Sequence, residues 1–313
     1  MVQDARYALL ERLIDYAGLF PPESLDMPAA VAGYRQARES PEAFMLGRFI
    51  VPVSRTGELA GELTTTSTGN QAPWPLTVLF DSAHFDWPEA VAEDAERLSD
   101  FLTELGTAVQ LEVVELRLHQ TANLTSTTRV LGMLEPIGAA AFFEVGLDAL
   151  LRDRLQLLAT TRSDSALTIG AKLRTGGTVA ERFPSPGRVA AFIAGCRDLE
   201  LAFKATAGLH RPIRYRDPVT GFHHHGFLNL LTAVVLARAN HLSEHEIEEV
   251  VADEDPSDFV LDADGLAWRE LRASPAQVAE ARTQALVGYG SCSFREPADD
   301  LRALGVLPLG SPL

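Results

Sequence analysis

The chain has 313 residues, 46% hydrophobic and 22% charged, which suits a globular protein with a large core; no apolar stretch reaches the length of a membrane span. Its 27 Lys plus Arg against 43 Asp plus Glu give a net charge of −16, which repels nucleic acid and anionic membrane over most of the surface, so neither is an expected partner. Residues 1–6 lack a basic segment followed by an apolar run, and two cysteines, Cys196 and Cys292, make no disulfide framework; the expectation is a cytoplasmic protein with reduced core thiols.

Short apolar runs recur along the chain. The first strand is expected near residues 14–16, followed by runs at 49–53, 76–80, 109–118, 141–145, 167–173 and 201–204, with a last strand near 287–289. Up to the seventh, starting points fall about thirty residues apart, the length of a strand–helix–strand unit. Between the runs lie helix signals. Ser185-Pro186 supplies an N-cap and a first-turn proline ahead of Val189, Phe192 and Ile193 at helical spacing. Ser274-Pro275-Ala276-Gln277 is a capping-box pattern, and Ser243-Glu244-His245-Glu246 opens a charged helix. Residues 64–70, rich in threonine, read as an exposed loop. Eight alternating units predict a single (β/α)8 TIM barrel over residues 1–313. An open doubly wound sheet is the other arrangement, but no G-x-G-x-x-G or Walker pattern supports it. The long interval before the last strand predicts a helical insertion between strands 7 and 8, at about residues 211–273. It is read as a lid or a homo-oligomer contact.

Strand C-terminal ends form the active face of such a barrel, so polar residues late in apolar strands are the candidates. Lys172 and Arg174 share one face of the sixth strand; Lys204, Thr206 and Gly208 share one face of the seventh. If both lysines point inward, adjacent strands bring them near each other, about 5 Å apart. Like charge and burial then both favour a free amine, the species that attacks a carbonyl. The competing reading pairs the lysines with Glu112, Glu115 or Glu144 in an ion network. Lys172, Arg174, Lys204, His210, Arg211 and Arg214 are a cationic group in an acidic chain, which points to a small anionic metabolite as partner. Asp81 and Glu144 each end an apolar strand, where a carboxylate either serves the site or caps the next helix. Gly290, Ser291, Cys292 and Ser293 follow the last strand, where barrels bind anions through backbone N–H groups. In His223-His224-His225, alternate members His223 and His225 could share a metal with Asp81, Glu144 or His84; the other reading has His225 starting the next helix.

The same segments resemble the deoxyribose-phosphate aldolases and related class I aldolases. Leu13-Ile14-Asp15-Tyr16-Ala17-Gly18-Leu19 is similar to that family's I-D-H-T-x-L motif, and Ile50-Val51-Pro52 to its second strand. Gln110-Leu111-Glu112-Val113-Val114 resembles E-I-D-x-V. Lys172-Leu173-Arg174-Thr175-Gly176 resembles K-T-S-T-G, and Lys204-Ala205-Thr206-Ala207-Gly208-Leu209-His210 resembles K-A-S-G-G-I-R. Gly290-Ser291-Cys292-Ser293 is similar to a phosphate-binding G-T-S-S. The resemblance implies Lys172 as Schiff-base nucleophile, Lys204 as the neighbour that keeps it uncharged, and Asp15 and Glu112 as proton-relay carboxylates. It implies a substrate contacted by Arg174, Thr175, Thr206, His210, Gly290, Ser291, Ser293 and Glu144. Departures are a Glu for the family's central Asp at 112, Arg174 in place of a small hydroxyl residue, His210 in place of a differently shaped basic residue, and the insertion. The segment from Asp15 to Pro22, D-Y-A-G-L-F-P-P, also resembles one in uncharacterised bacterial proteins.

Three functions follow as expectations. One is a lysine-dependent lyase or aldolase acting on a small anionic oxo compound without a cofactor. Another is a metal-dependent lyase or hydrolase using the histidines. The last is a non-catalytic anion-binding barrel.

Overall fold

The computed structural model describes residues 4–65, 72–82 and 87–308; the expected loop residues 66–70 and His84 lie outside them. A short helix α1 (Ala5–Leu10) precedes β1 (Ile14–Tyr16). Six strand–helix units then follow in regular alternation: α2 (Met27–Arg38), β2 (Leu46–Pro52), α3 (Thr56–Thr65), β3 (Trp74–Leu79), α4 (Trp87–Leu105), β4 (Val109–Arg117), α5 (Leu124–Leu134), β5 (Ala140–Glu144), α6 (Leu151–Ser163), β6 (Ile169–Arg174), α7 (Pro186–Asp198) and β7 (Phe203–Thr206). The long interval holds a hairpin, β8 (Tyr215–Arg216) and β9 (His223–His224), then α8 (Phe227–Ala239) and α9 (Glu244–Ala252). A three-stranded antiparallel sheet, β10 (Phe259–Asp262), β11 (Gly265–Trp268) and β12 (Leu271–Ala273), and α10 (Pro275–Gln284) lead into β13 (Leu286–Ser291), with α11 (Arg295–Ala303) last. Strands β1 to β7 and β13 close a parallel eight-stranded barrel in which β13 lies between β7 and β1. The chain is a (β/α)8 TIM barrel.

The helices form where the capping signals stand. Ser185, Ser243 and Ser274 each accept a backbone N–H as N-caps, the last two within complete capping boxes. The predicted elaboration differs in kind, because it is part helix and part sheet. Residues 259–262 alternate buried and exposed, the period of a strand with one covered face, and Asp262 accepts N–H bonds from Asp264 and Gly265 to turn the chain into β11. These strands are too short for a sequence period to announce them. Helix α8 is buried all round from Phe227 to Ala237, so the insertion packs onto the barrel. Asn229 fastens it: its Oδ1 accepts the Arg214 N–H and its amide donates to the carbonyls of Val250 and Asp253.

Inside the barrel, register decides which side chains meet. Glu144, Lys172 and Lys204 lie in one row across β5, β6 and β7; Arg174, Thr206 and Gly290 lie in the next row toward the C-terminal ends. That row continues to Asp15, which pairs with Gly290 across β1 and β13. Asp15 has its place because position 47 carries no side chain: a Cβ there would stand 2.3 Å from Asp15 Oδ1. We expect Gly47→Ala to destabilise the fold by about 1–3 kcal/mol through overpacking, read as a lowered urea midpoint at unchanged m-value. An unshifted midpoint would show that the barrel relaxes around the methyl group without cost.

Candidate active site

Both lysines point into the barrel, as alternation along β6 and β7 requires. Each is held by carboxylates. Lys172 Nζ lies 2.8 Å from Glu115 Oε2 and 3.6 Å from Glu144 Oε2. Lys204 Nζ lies 2.7 Å from Glu115 Oε1 and 2.5 Å from Asp15 Oδ2, and donates to Thr77 Oγ1 at 3.3 Å. Glu115 therefore touches both amines, one with each oxygen. The expected direct repulsion between two ammonium groups is offset by the carboxylate shared between them, and the ion-network alternative describes the contacts found.

Side-chain exposure orders these groups by depth. It is 0% at Asp15, 1% at Lys204, 4% at both Glu115 and Lys172, 12% at Glu144 and 31% at Arg174. Lys172 and Lys204 stand side by side in one row, Lys172 slightly the more exposed of the two. Arg174, two residues beyond Lys172 on the same face, makes a two-point pair with Glu144 through Nε and Nη2 at 3.0 and 3.2 Å. Burial alone would raise the Glu115 carboxyl, but the ammonium groups of Lys172 and Lys204 outweigh it and hold it down at about 2. The same contest lowers Asp15, where Lys204 and Arg48 prevail over burial, and Glu144, where Lys172 and Arg174 do.

Glu112, assigned a proton relay by the resemblance, is not brought to the lysines. It lies early in β4, where the pairing with β3 shifts register, and there it takes Arg48 Nε at 2.7 Å and Arg12 Nη2 at 2.7 Å. That position is the N-terminal end of the barrel. Glu115, three residues on, occupies the place assigned to it. In the sequence Glu115 stands only as one of three carboxylates able to pair with the lysines, because β4 also carries Glu112 and Arg117. Asp15 is brought to the cluster, but against Lys204, not Lys172.

The remaining candidates divide. Thr206 shares the upper row with Arg174 and Gly290, and a Cβ at 290 would stand 3.1 Å from Ile50 Cδ1 and 3.5 Å from Thr206 Oγ1, so the missing side chain lets Ile50 approach this row. Thr175 is fully buried, and its hydroxyl is spent on the carbonyls of Thr206 and Ala207. Ala207 and Gly208 both have positive φ, 64° and 75°, so this hydroxyl clamps a strained turn just past Lys204. Ser291 Oγ donates to the Ser293 carbonyl at 2.7 Å, and Ser293 Oγ accepts the Glu296 N–H at 3.2 Å. These hydroxyls hold the chain at the start of α11. His210 Nδ1 lies 3.4 Å from Glu296 and 3.8 Å from Cys292 Sγ, beside the mouth. Cys196 and Cys292 are both free and buried.

The histidines do not converge. His223 and His224 form β9, and His225 stands just ahead of α8, whose N-cap is Gly226. His223 is exposed beside Glu254; His225 is buried, with Nε2 on the Pro184 carbonyl at 2.8 Å and Nδ1 near Arg214. Burial pushes the His225 imidazole down to about 4. Asp81 accepts the backbone N–H and hydroxyl of Ser54 outside the barrel interior. Among the described residues no three His, Cys, Asp or Glu side chains are grouped to hold a metal. No helix among them is long and apolar enough to cross a membrane.

No protein-family model matches the chain, and no curated protein matches it. Among solved structures, the crystal structure of a mandelate racemase/muconate lactonizing enzyme-like protein from Rubrobacter xylanophilus DSM 9941 aligns with 13% identity and a TM-score of 0.28. The alignment covers 50% of this chain and 42% of that one, so the chain spans less than half of that structure's length.

The charge arrangement fixes an acid dependence. The Glu115 carboxyl, at about 2 in the fold against an ordinary 4.5, contributes stability that is complete above about 4.5 and is withdrawn as pH falls toward 2. Glu115→Gln leaves two buried ammonium groups short of an anion. We expect a loss of about 3–5 kcal/mol near neutral pH, with a flatter acid limb in the stability–pH curve. A variant as stable as the parent with an unchanged acid limb would contradict the shared-carboxylate arrangement.

Proposed function

We propose that this protein is a lysine-dependent lyase or aldolase whose nucleophile is Lys172, acting on a small anionic oxo compound at the C-terminal mouth of the barrel. The observation that carries this reading is the contact of Glu115 with Lys172 and Lys204 at 2.8 and 2.7 Å, inside a barrel, beneath an arginine-bearing opening. A pair of interior lysines on adjacent strands sharing one carboxylate costs more to bury than an apolar core of the same volume. The chemistry it supports is proton transfer at a nucleophilic amine. The resemblance of these strands to class I aldolases supports the same assignment of Lys172.

As Lys172 attacks a carbonyl carbon, its ammonium must give up a proton. Glu115 is the nearest acceptor. The amine nitrogen forms the new C–N bond, the carbonyl electron pair moves to oxygen, and a zwitterionic carbinolamine results. Transfer of one N–H proton to that oxygen, with return of the proton taken by Glu115, releases water and leaves an iminium, an electron sink that stabilises the adjacent carbanion and permits C–C cleavage or formation. Lys204 does not reach the substrate directly; it is a positioning residue that neutralises Glu115 and Asp15. Asp15 in turn holds Lys204.

Borohydride reduction in the presence of carbonyl probes tests this reading. We expect a covalent adduct mapped to Lys172 by peptide mass spectrometry, and none in Lys172→Ala. In Lys204→Leu the carboxylates around Lys172 lose a compensating cation. The ammonium form of Lys172 is thereby favoured, so the pH profile of labelling should move upward. Absence of any adduct across a 2-oxo acid, a neutral ketone and an aldehyde, or labelling that persists in Lys172→Ala, would overturn the assignment.

A further inference from the structure

The anion-binding part of this site can be read from what Glu144 does. Its Oε2 lies 3.6 Å from Lys172 Nζ and 3.2 Å from Arg174 Nη2, so one carboxylate oxygen bridges the amine and the guanidinium. The two cationic heads thus flank a single carboxylate oxygen, on one face of one strand. Glu144 occupies the Nε/Nη2 edge of Arg174. Nη1 makes no hydrogen bond among the described residues, and the guanidinium is the most open group of the cluster. That leaves Nη1 of a partly exposed arginine as a donor for a further anion, and a guanidinium suits a carboxylate.

The other anion site expected from the sequence, at 290–293, is differently furnished. Its two serine hydroxyls are engaged with the Ser293 carbonyl and the Glu296 N–H, and the carboxylate of Glu296 lies beside His210.

Resting on the reading of Lys172 as nucleophile, we infer that the substrate is a 2-oxo acid, its carboxylate held by Arg174 while Lys172 attacks the adjacent carbonyl. The span between the two cationic heads matches this class, because in a 2-oxo acid the carboxylate carbon is bonded directly to the reacting carbon. A phosphorylated aldehyde carries its anion several bonds away. Thr206, paired with Arg174 in the next strand, adds a hydroxyl to the same row. The covalent step balances without a co-reactant. Amine, carbonyl and one proton give iminium and water, with the substrate carboxylate unchanged.

The test compares three probes by borohydride trapping: pyruvate as 2-oxo acid, acetone as neutral ketone, and glyceraldehyde 3-phosphate as phosphorylated aldehyde. We expect pyruvate to label Lys172 with half-saturation at least about tenfold below that of acetone, the value of one charge-assisted contact. Arg174→Met should erase that advantage and Arg174→Lys should restore part of it, with acetone labelling little changed in both. The acetone arm reports any general change at Lys172, and an intact melting transition reports folding. If glyceraldehyde 3-phosphate labels Lys172 better than pyruvate, or Arg174→Met leaves the pyruvate half-saturation where it was, the 2-oxo acid inference fails while the Schiff-base reading stands. If no probe labels Lys172, both fail.

Discussion

One carboxylate, Glu115, touches both buried lysines, and the interior of the barrel is arranged around that contact. From it runs a chain of alternating charge. Toward the C-terminal mouth it passes through Lys172, Glu144 and Arg174; toward the N-terminal end it passes through Lys204, Asp15, Arg48, Glu112 and Arg12. Every link is a contact between opposite signs. Burying any one of these groups alone would be prohibitive, and removing one leaves its neighbours uncompensated. The chain is therefore a joint structure, and its energetic effects are not separable residue by residue.

The backbone makes room for this chain at particular points. Gly47 yields the space Asp15 occupies, the register shift in β4 turns Glu112 toward the two arginines, and Gly290 lets Ile50 approach the upper row. Thr175 clamps the positive-φ turn at Ala207 and Gly208, which ends β7 two residues past Lys204 and so sets the height of the lysine in the barrel. At the far end Arg282, buried, donates to the carbonyls of Leu9, Glu11 and Leu286 and ties α1 to the last barrel strand. The closed end is fixed by structural contacts, and the open end carries Arg174.

Much of this was legible in the sequence. The apolar runs located the eight barrel strands, and alternation along β6 and β7 placed Lys172 and Lys204 side by side facing inward. What the sequence could not tell was which carboxylate reaches them. Choosing Glu112 over Glu115 depended on strand register, and a one-residue shift such as that in β4 turns side chains to the other face of the strand. The hydroxyls of Thr175, Ser291 and Ser293, expected at the substrate, are engaged with the backbone. A hydroxyl near a strand end serves either the ligand or the backbone, and only the fold shows which carbonyl or N–H lies within reach. The small sheet at 259–273 escaped notice because its strands are three or four residues long.

The account stands on Glu115 being ionised between two ammonium groups. The most direct measurement is an infrared difference spectrum of the parent against Glu115→Gln, recorded as pH is lowered through the ordinary carboxylate range. The account predicts that the Glu115 carboxylate stretches persist throughout that range and give way to a protonated carboxyl band only near the acid limit of the folded state. A protonated carboxyl band from Glu115 at neutral pH would contradict it, because the carboxylate would then be unable to hold both lysines or to accept the proton that Lys172 must release.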